Sequence, residues 1–146
     1  KAARISALTL DLSELLPSLV PDLRNKVSLD GQPALVFHPP CTLQHGQKLK
    51  GSVEQHLAAL GFAVRIAANE SHLCCGSAGT YSVLNPEIAY QLRDRKLQNL
   101  DATATEVIIS ANIGCITHLQ SGTATPVKHW IEVLDRALGA TSGTAG

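Results

Sequence analysis

The stretch Ala34-Leu35-Val36-Phe37-His38-Pro39-Pro40-Cys41 decides the fold. A short, continuous apolar run stopped by two prolines reads as a strand buried on both faces. Such strands belong to parallel sheets, whose strands are joined by crossover helices. Working outward, residues 42–60 have Leu43, Leu49, Val53, Leu57 and Leu60 at helical spacing, with Gly61 as the C-terminal cap. Residues 62–66 form a second strand, followed by a polar loop through Gly76. Asn85 as N-cap and Pro86 at the first helical position open a helix to about Leu100. A third strand over 106–110, a short helix within 111–119, a fourth strand over 126–128 and a last helix over 130–138, ended by Gly139, complete the alternation. Ahead of it, Ala3, Ile5, Ala7, Leu8, Leu12, Leu15 and Leu16 predict a helix over 3–16, punctuated by Pro17 and Pro21. The expectation is an α/β fold, a small, mainly parallel sheet flanked by helices. Residues 1–20 read as a leading helix from a preceding domain, 21–139 as the cysteine-bearing domain and 140–146 as a flexible tail.

The chain's 146 residues, 45% hydrophobic and 16% charged, are enough for one globular domain with a real core. Twelve basic and twelve acidic residues cancel. That balance argues against nucleic-acid binding driven by neutralisation of phosphates. No apolar run is long enough to span a bilayer. Lys1-Ala2-Ala3-Arg4 is followed by Ser6, Thr9, Asp11 and Ser13, which break any signal-peptide core. The absence of Met anywhere, position 1 included, gives the look of a piece of a longer chain.

The four cysteines carry the chemistry. Cys41 follows the first strand, Cys74 and Cys75 lie in the loop after the second, and Cys115 follows the third. Loops that follow parallel strands emerge at one edge of the sheet, where ligands bind. Topology alone therefore gathers these thiols at the carboxyl edge. A disulfide frame fits poorly, since adjacent cysteines seldom bridge and this core needs no staples. A lone free cysteine is usually a small hydrophobe; four in loops, three of them beside Gly or Pro, favour a metal. Thiolates converge on a metal at about 2.3 Å, which needs loops that wrap closely. Gly76, Gly79 and Gly114 supply small residues beside the thiols and let backbone N–H groups donate to sulfur, as around iron–sulfur clusters. Structural zinc usually brings short Cys-x-x-Cys knuckles, and neither is present.

At these residues the chain resembles the cysteine-rich CCG domain, whose pattern is one Cys, a spacer of about thirty residues, Cys-Cys-Gly, a second long spacer and Cys-x-x-Cys. Here 32 residues separate Cys41 from Cys74, and 39 separate Cys75 from Cys115. Residues 38–45, 71–81, 111–119 and 126–131 look like the C-terminal region of the iron–sulfur subunits of glycolate oxidases, and the likeness covers about residues 1–138. It implies an electron-transfer part of a flavin-dependent glycolate or D-lactate oxidoreductase, with Cys41, Cys74, Cys75 and Cys115 holding an iron–sulfur cluster, [4Fe–4S] in type. It also implies FAD on flavin-containing partner subunits, an N-terminal ferredoxin-like part of the same subunit, a quinone acceptor, and a cytoplasmic complex peripheral to the inner membrane. One position departs from the pattern: His118 stands where the last cysteine would be. It lies on the same side of a helical turn as Cys115, which makes it a candidate further ligand or a hydrogen-bonding neighbour. A thiol/disulfide redox site like that of heterodisulfide reductase, and a zinc or metal-free scaffold holding flavin subunits, stand as alternatives.

The remaining polar residues read more plainly. His38, His45 and His72 flank the cysteine loops as loop residues or proton relays, and His56 reads as solvated. Ser77 and Thr80 beside the glycines suggest a small nest of N–H donors. Trp130 reads as packing, Tyr81 as pocket lining or core, and the run Arg93-Asp94-Arg95-Lys96 as a solvated helix face.

Overall fold

The computed structural model describes residues 1–142, with side chains through Gly139. Chain order is α1 (Ala2–Leu8), α2 (Leu12–Leu23), β1 (Leu35–His38), a π-type turn (Thr42–Gly46), α3 (Ser52–Ala59), β2 (Val64–Ile66), α4 (Tyr81–Leu84), α5 (Pro86–Asp101), β3 (Val107–Ser110), α6 (Ile113–Gln120), β4 (Val127–His129) and α7 (Trp130–Ser142). The strands form one sheet in the order β2-β1-β3-β4, all parallel. This is the α/β architecture that the apolar run at Ala34 implies.

Strand side chains alternate between faces, so the sheet separates two apolar layers. Leu35 and Phe37 of β1, with Val107 and Ile109 of β3, pack against Leu16 and Val20 of α2, Val53 and Leu57 of α3, and Trp130 and Leu134 of α7. Val36 and Ile108 face the other way, toward Leu97 and Leu100 of α5 and Cys115 and Leu119 of α6. Strand order reverses between β1 and β3: the chain leaves β1 for β2 on one side, then returns to place β3 on the other. At such a switch point the connecting loops part and leave a crevice at the carboxyl edge.

Several elements depart from expectation. The helix expected over 3–16 is two helices. Thr9 is extended, and Asp11 starts α2 with a capping box in which its carboxylate accepts from Ser13 N–H and Glu14 accepts from Asp11 N–H. Pro17 and Pro21 lie inside α2. Each removes a backbone donor, yet the helix persists because it buries Leu16 and Val20, four residues apart on one face. The helix expected over 42–60 is interrupted: Lys48 and Gly51, at φ 59° and 83°, end the π-type turn and delay α3 until Ser52. Leu43, Val53, Leu57 and Leu60 are nonetheless all buried. Asn85 occupies the N-cap of α5, but its amide donates back to the Tyr81 carbonyl and caps nothing. Helix α7 continues past Gly139 to Ser142, since one glycine costs a helix only about 1 kcal/mol. Of the segment 140–146 expected as a tail, residues 140–142 are therefore helical, and 143–146 lie outside the described residues. No helix among the described residues is long and apolar enough to cross a membrane.

Candidate metal centre

The loops that leave β1, β2 and β3 bring all four cysteines to the crevice at the switch point. Each is a free thiol. Cys41, directly after Pro39-Pro40, is exposed; Cys74 is half-buried; Cys75 and Cys115 are buried. They form a file across the crevice floor. Cys41 and Cys74, Cys74 and Cys75, and Cys75 and Cys115 are near enough to influence one another's ionisation. The file lines a cavity of about 750 Å³, with Gly79, Asn112, Gly114, Tyr90 and His118 also on its wall.

Local structure explains why the thiols sit so close. Gly76 has φ 89°, and a Cβ there would lie 2.4 Å from the Ala89 carbonyl oxygen of α5. Only glycine lets the Cys74-Cys75 turn press against the helix backbone. In that position Gly76 N–H donates to Cys74 Sγ at 3.3 Å, and the Ser77 backbone lies close enough to Cys75 to favour its thiolate. A Cβ on Gly114 would lie 2.8 Å from Ser77 Oγ, so this glycine lets α6 approach the same turn. Gly79 has φ 55° and open space around it. Cys115 sits in the first turn of α6, where Asn112 Oδ1 accepts from the N–H groups of Gly114 (3.0 Å) and Cys115 (3.3 Å).

The electrostatics follow from burial and crowding. The hydrogen bond to Cys115 and burial push the Cys75 thiol up to about 12. Cys74 is pushed up too, first by its bond to Cys75, and Cys41 is raised chiefly by burial. Metal-free, these three are protonated thiols at neutral pH, and metal binding would have to displace the protons.

Two residues that the sequence reading placed elsewhere close the site. His38 ends β1 and is 1% exposed. It follows Val36 on the α5–α6 side of the sheet, and its carbonyl accepts from Ser110 Oγ at 2.8 Å. Neither ring nitrogen has a hydrogen-bond partner among the described residues. One of them lies with Cys75 Sγ and Cys115 Sγ in a group whose atoms are all within 4.8 Å of one another. Burial, with the nearby Lys96 charge, pushes His38 down to about 3. Lys96 was expected on a solvated face, yet it is 1% exposed and its Nζ donates to the carbonyls of Glu70 (2.7 Å) and Ser71 (3.2 Å). Those bonds tie the cysteine loop to α5 and leave an ammonium facing Cys41, Cys74 and Cys75. Its neighbours in the run do meet solvent: Asp94 and Arg95 are exposed, Arg95 pairing with Glu70. Arg93 lies over the Tyr90 ring. The helical spacing Ala89, Lys96, Leu97, Leu100 is the signal that could have placed Lys96 inside.

His118 lines the cavity wall, its Nε2 bonded to the Ala89 carbonyl at 3.1 Å and its ring stacked on Tyr90. His45 and His72 are exposed and His56 half-buried, and none of the three lines the cavity. Trp130 is core, and Tyr81 is largely exposed.

Comparison with known proteins agrees with this arrangement. Residues 35–120, from β1 through α6, match the cysteine-rich domain family named CCG. The chain is 49% identical over 138 residues to the glycolate oxidase iron-sulfur subunit of Escherichia coli K12, covering 94% of this chain and 33% of that protein. It is 28% identical over 144 residues to lactate utilization protein A of Geobacillus thermodenitrificans, covering 92% and 58%. It is 30% identical over 108 residues to the protein of the same name from Shouchella clausii, covering 68% and 44%. The chain thus spans between about a third and three-fifths of these relatives' lengths. It belongs to the CCG cysteine-rich domain family.

Proposed function

We propose that this member of the CCG cysteine-rich domain family holds an iron–sulfur cluster on Cys41, Cys74, Cys75 and Cys115 and serves electron transfer in a 2-hydroxy-acid oxidoreductase. The observation that carries this reading is the gathering of all four cysteines on the wall of one cavity at the switch point of the sheet. The donor set fits such a group. Soft thiols suit iron–sulfur clusters, the Gly76 N–H already points at the Cys74 sulfur, and a buried imidazole has unused nitrogens beside Cys75 and Cys115. When bound, a cluster supplies one-electron storage and transfer, which protein side chains do not. The chain's own share is to fix the thiols, offset their charge with Lys96 and screen the inner pair from water.

The relatives named as a glycolate oxidase iron-sulfur subunit and as lactate utilization proteins support a role with a 2-hydroxy acid. On this reading the cluster is of [4Fe–4S] type. Electrons come from FAD on partner subunits, pass through a ferredoxin-like part of the same subunit and leave toward quinone, in a cytoplasmic complex at the membrane periphery.

The test is elemental and spectroscopic. Protein purified without oxygen should be brown, carry iron and acid-labile sulfide in equal amounts, and give a paramagnetic resonance signal on one-electron reduction. Zinc without sulfide would favour a structural metal. Colourless, iron-free protein after reconstitution would overturn the reading.

A further inference from the structure

We propose that His38 is a metal ligand, its imidazole completing with Cys75 and Cys115 the inner face of the donor set. The inference deepens the cluster reading and rests on it for the identity of the metal.

The argument begins on β1. Leu35 and Phe37 enter one apolar layer and Val36 the other. Alternation then turns His38 toward the layer that contains Cys75 and Cys115. The ring hangs from a strand held on both sides, paired with β2 and β3, and residue 38 itself is opposite Ser110. Its backbone is thus fixed as few loop ligands are.

A wholly buried imidazole must leave at least one N–H donor and one lone pair, and burying such a group unpaired costs about 1–3 kcal/mol. His38 carries that cost at both nitrogens. Tetrahedral bonds of about 2.0–2.3 Å place ligand atoms roughly 3.5–3.8 Å apart. The inner trio, within 4.8 Å, needs about 1 Å of side-chain closure to meet that geometry around one ion, and would open to span the irons of a cluster, each of which takes one protein ligand. One nitrogen and two sulfurs are a donor set for zinc, cobalt or iron. His118 offers no such arrangement: its Nε2 is bonded to Ala89 and its ring is stacked on Tyr90.

The experiment uses the whole chain with histidine labelled in ¹⁵N. Cobalt(II) is titrated into metal-free protein and followed by thiolate charge-transfer and d–d absorption. Iron and sulfide are reconstituted in parallel, and nitrogen couplings are read by pulsed electron paramagnetic resonance. Removing a residue that only supports a ligand costs about 10–100-fold in metal affinity, and a ligand costs at least as much. We expect His38→Ala to weaken cobalt binding by at least about 100-fold and to abolish the strong nitrogen coupling. His118→Ala should keep both, and His38→Cys should restore affinity without the coupling. Unchanged cobalt affinity in His38→Ala, or no strong nitrogen coupling in unsubstituted loaded protein, overturns the assignment even if His38→Ala misfolds. The two readings fail separately: iron and sulfide bound without nitrogen coupling sinks His38 alone. Cobalt held by His38 in a chain that takes no iron or sulfide sinks the cluster alone.

Discussion

Replacing three glycines near the thiols by alanine, one at a time, should give three different results. At Gly76 the new Cβ meets the Ala89 carbonyl oxygen at 2.4 Å, and the obstacle is helix backbone. A φ of 89° adds strain of about 1–2 kcal/mol for a residue with a side chain. Overpacking against a part that cannot rotate away adds about 1–3 kcal/mol. The total, about 2–5 kcal/mol, lowers the midpoint of thermal unfolding by roughly 6–15 °C in a chain of this size. The same displacement moves the Cys74 and Cys75 sulfurs, so iron retention should fall with it. Gly79 has φ 55° and nothing within 4 Å, so its alanine variant bears the strain alone, about 1 kcal/mol and roughly 3 °C. Gly114 lies inside α6, where alanine gains about 1 kcal/mol in helix propensity. Its Cβ presses on Ser77 Oγ at 2.8 Å, a side chain that can rotate. Stability should therefore stay within about 1 kcal/mol while metal retention drops, because the turn bearing Cys75 is disturbed. Circular dichroism melts and iron analysis after anaerobic reconstitution read both quantities. A Gly76→Ala variant no less stable than Gly79→Ala would refute the claim that the cysteine turn is held against α5.

Other consequences can be measured independently. Asp11→Ala removes the α2 cap and should cost about 1 kcal/mol in urea denaturation, with Asp11→Asn nearly silent; equal losses would mean the cap is not what starts the helix. Lys96→Met in iron-loaded protein should lower the reduction potential by something on the order of 50 mV, since a buried positive charge favours the reduced, more negative state; an unchanged potential would remove Lys96 from the site's electrostatics. Cys75 is held near 12 in the fold against an ordinary 9.0, so the folded state keeps a proton that the unfolded state gives up. Metal-free protein should keep full stability below pH 9 and lose it between pH 9 and 12, by at most about 1.4 kcal/mol per pH unit from this thiol. Cys75→Ser should flatten that alkaline slope, and a stability curve that rises with pH there would contradict the assignment.

The sheet was legible because its signals are local. The double proline after His38 ends a strand wherever it occurs, and Pro86 is compatible with only the first turn of a helix. The breaks within helices were less so. Nothing short-range forces Lys48 into the left-handed region, and Thr9 breaks the first helix because Asp11 and Glu14 offer the next one a better start. Conversely, Pro17 and Pro21 look like stops, and the tertiary burial of Leu16 and Val20 overrides them. The thiols were legible as a group because parallel topology needs no side-chain detail to gather loops at one edge.

His38 and Lys96 were not legible in that way, because a buried polar residue is recognised by what surrounds it. The Lys96 environment nevertheless says which state the site is built for. An ammonium out of water is costly unless paired, and in metal-free protein its surroundings are two carbonyl acceptors, the negative charge of Glu70 and three protonated thiols. Two hydrogen bonds to neutral oxygens only partly offset that desolvation. With Cys41, Cys74 and Cys75 ionised around a metal, the same ammonium sits against concentrated negative charge and offsets part of it. Beyond what the two carbonyls and Glu70 supply, the buried cation and the crowded thiols stabilise one another when the protons have left the sulfurs. Burial of Lys96 is therefore an argument, separate from the cysteine spacing, that the working form of this crevice holds thiolates.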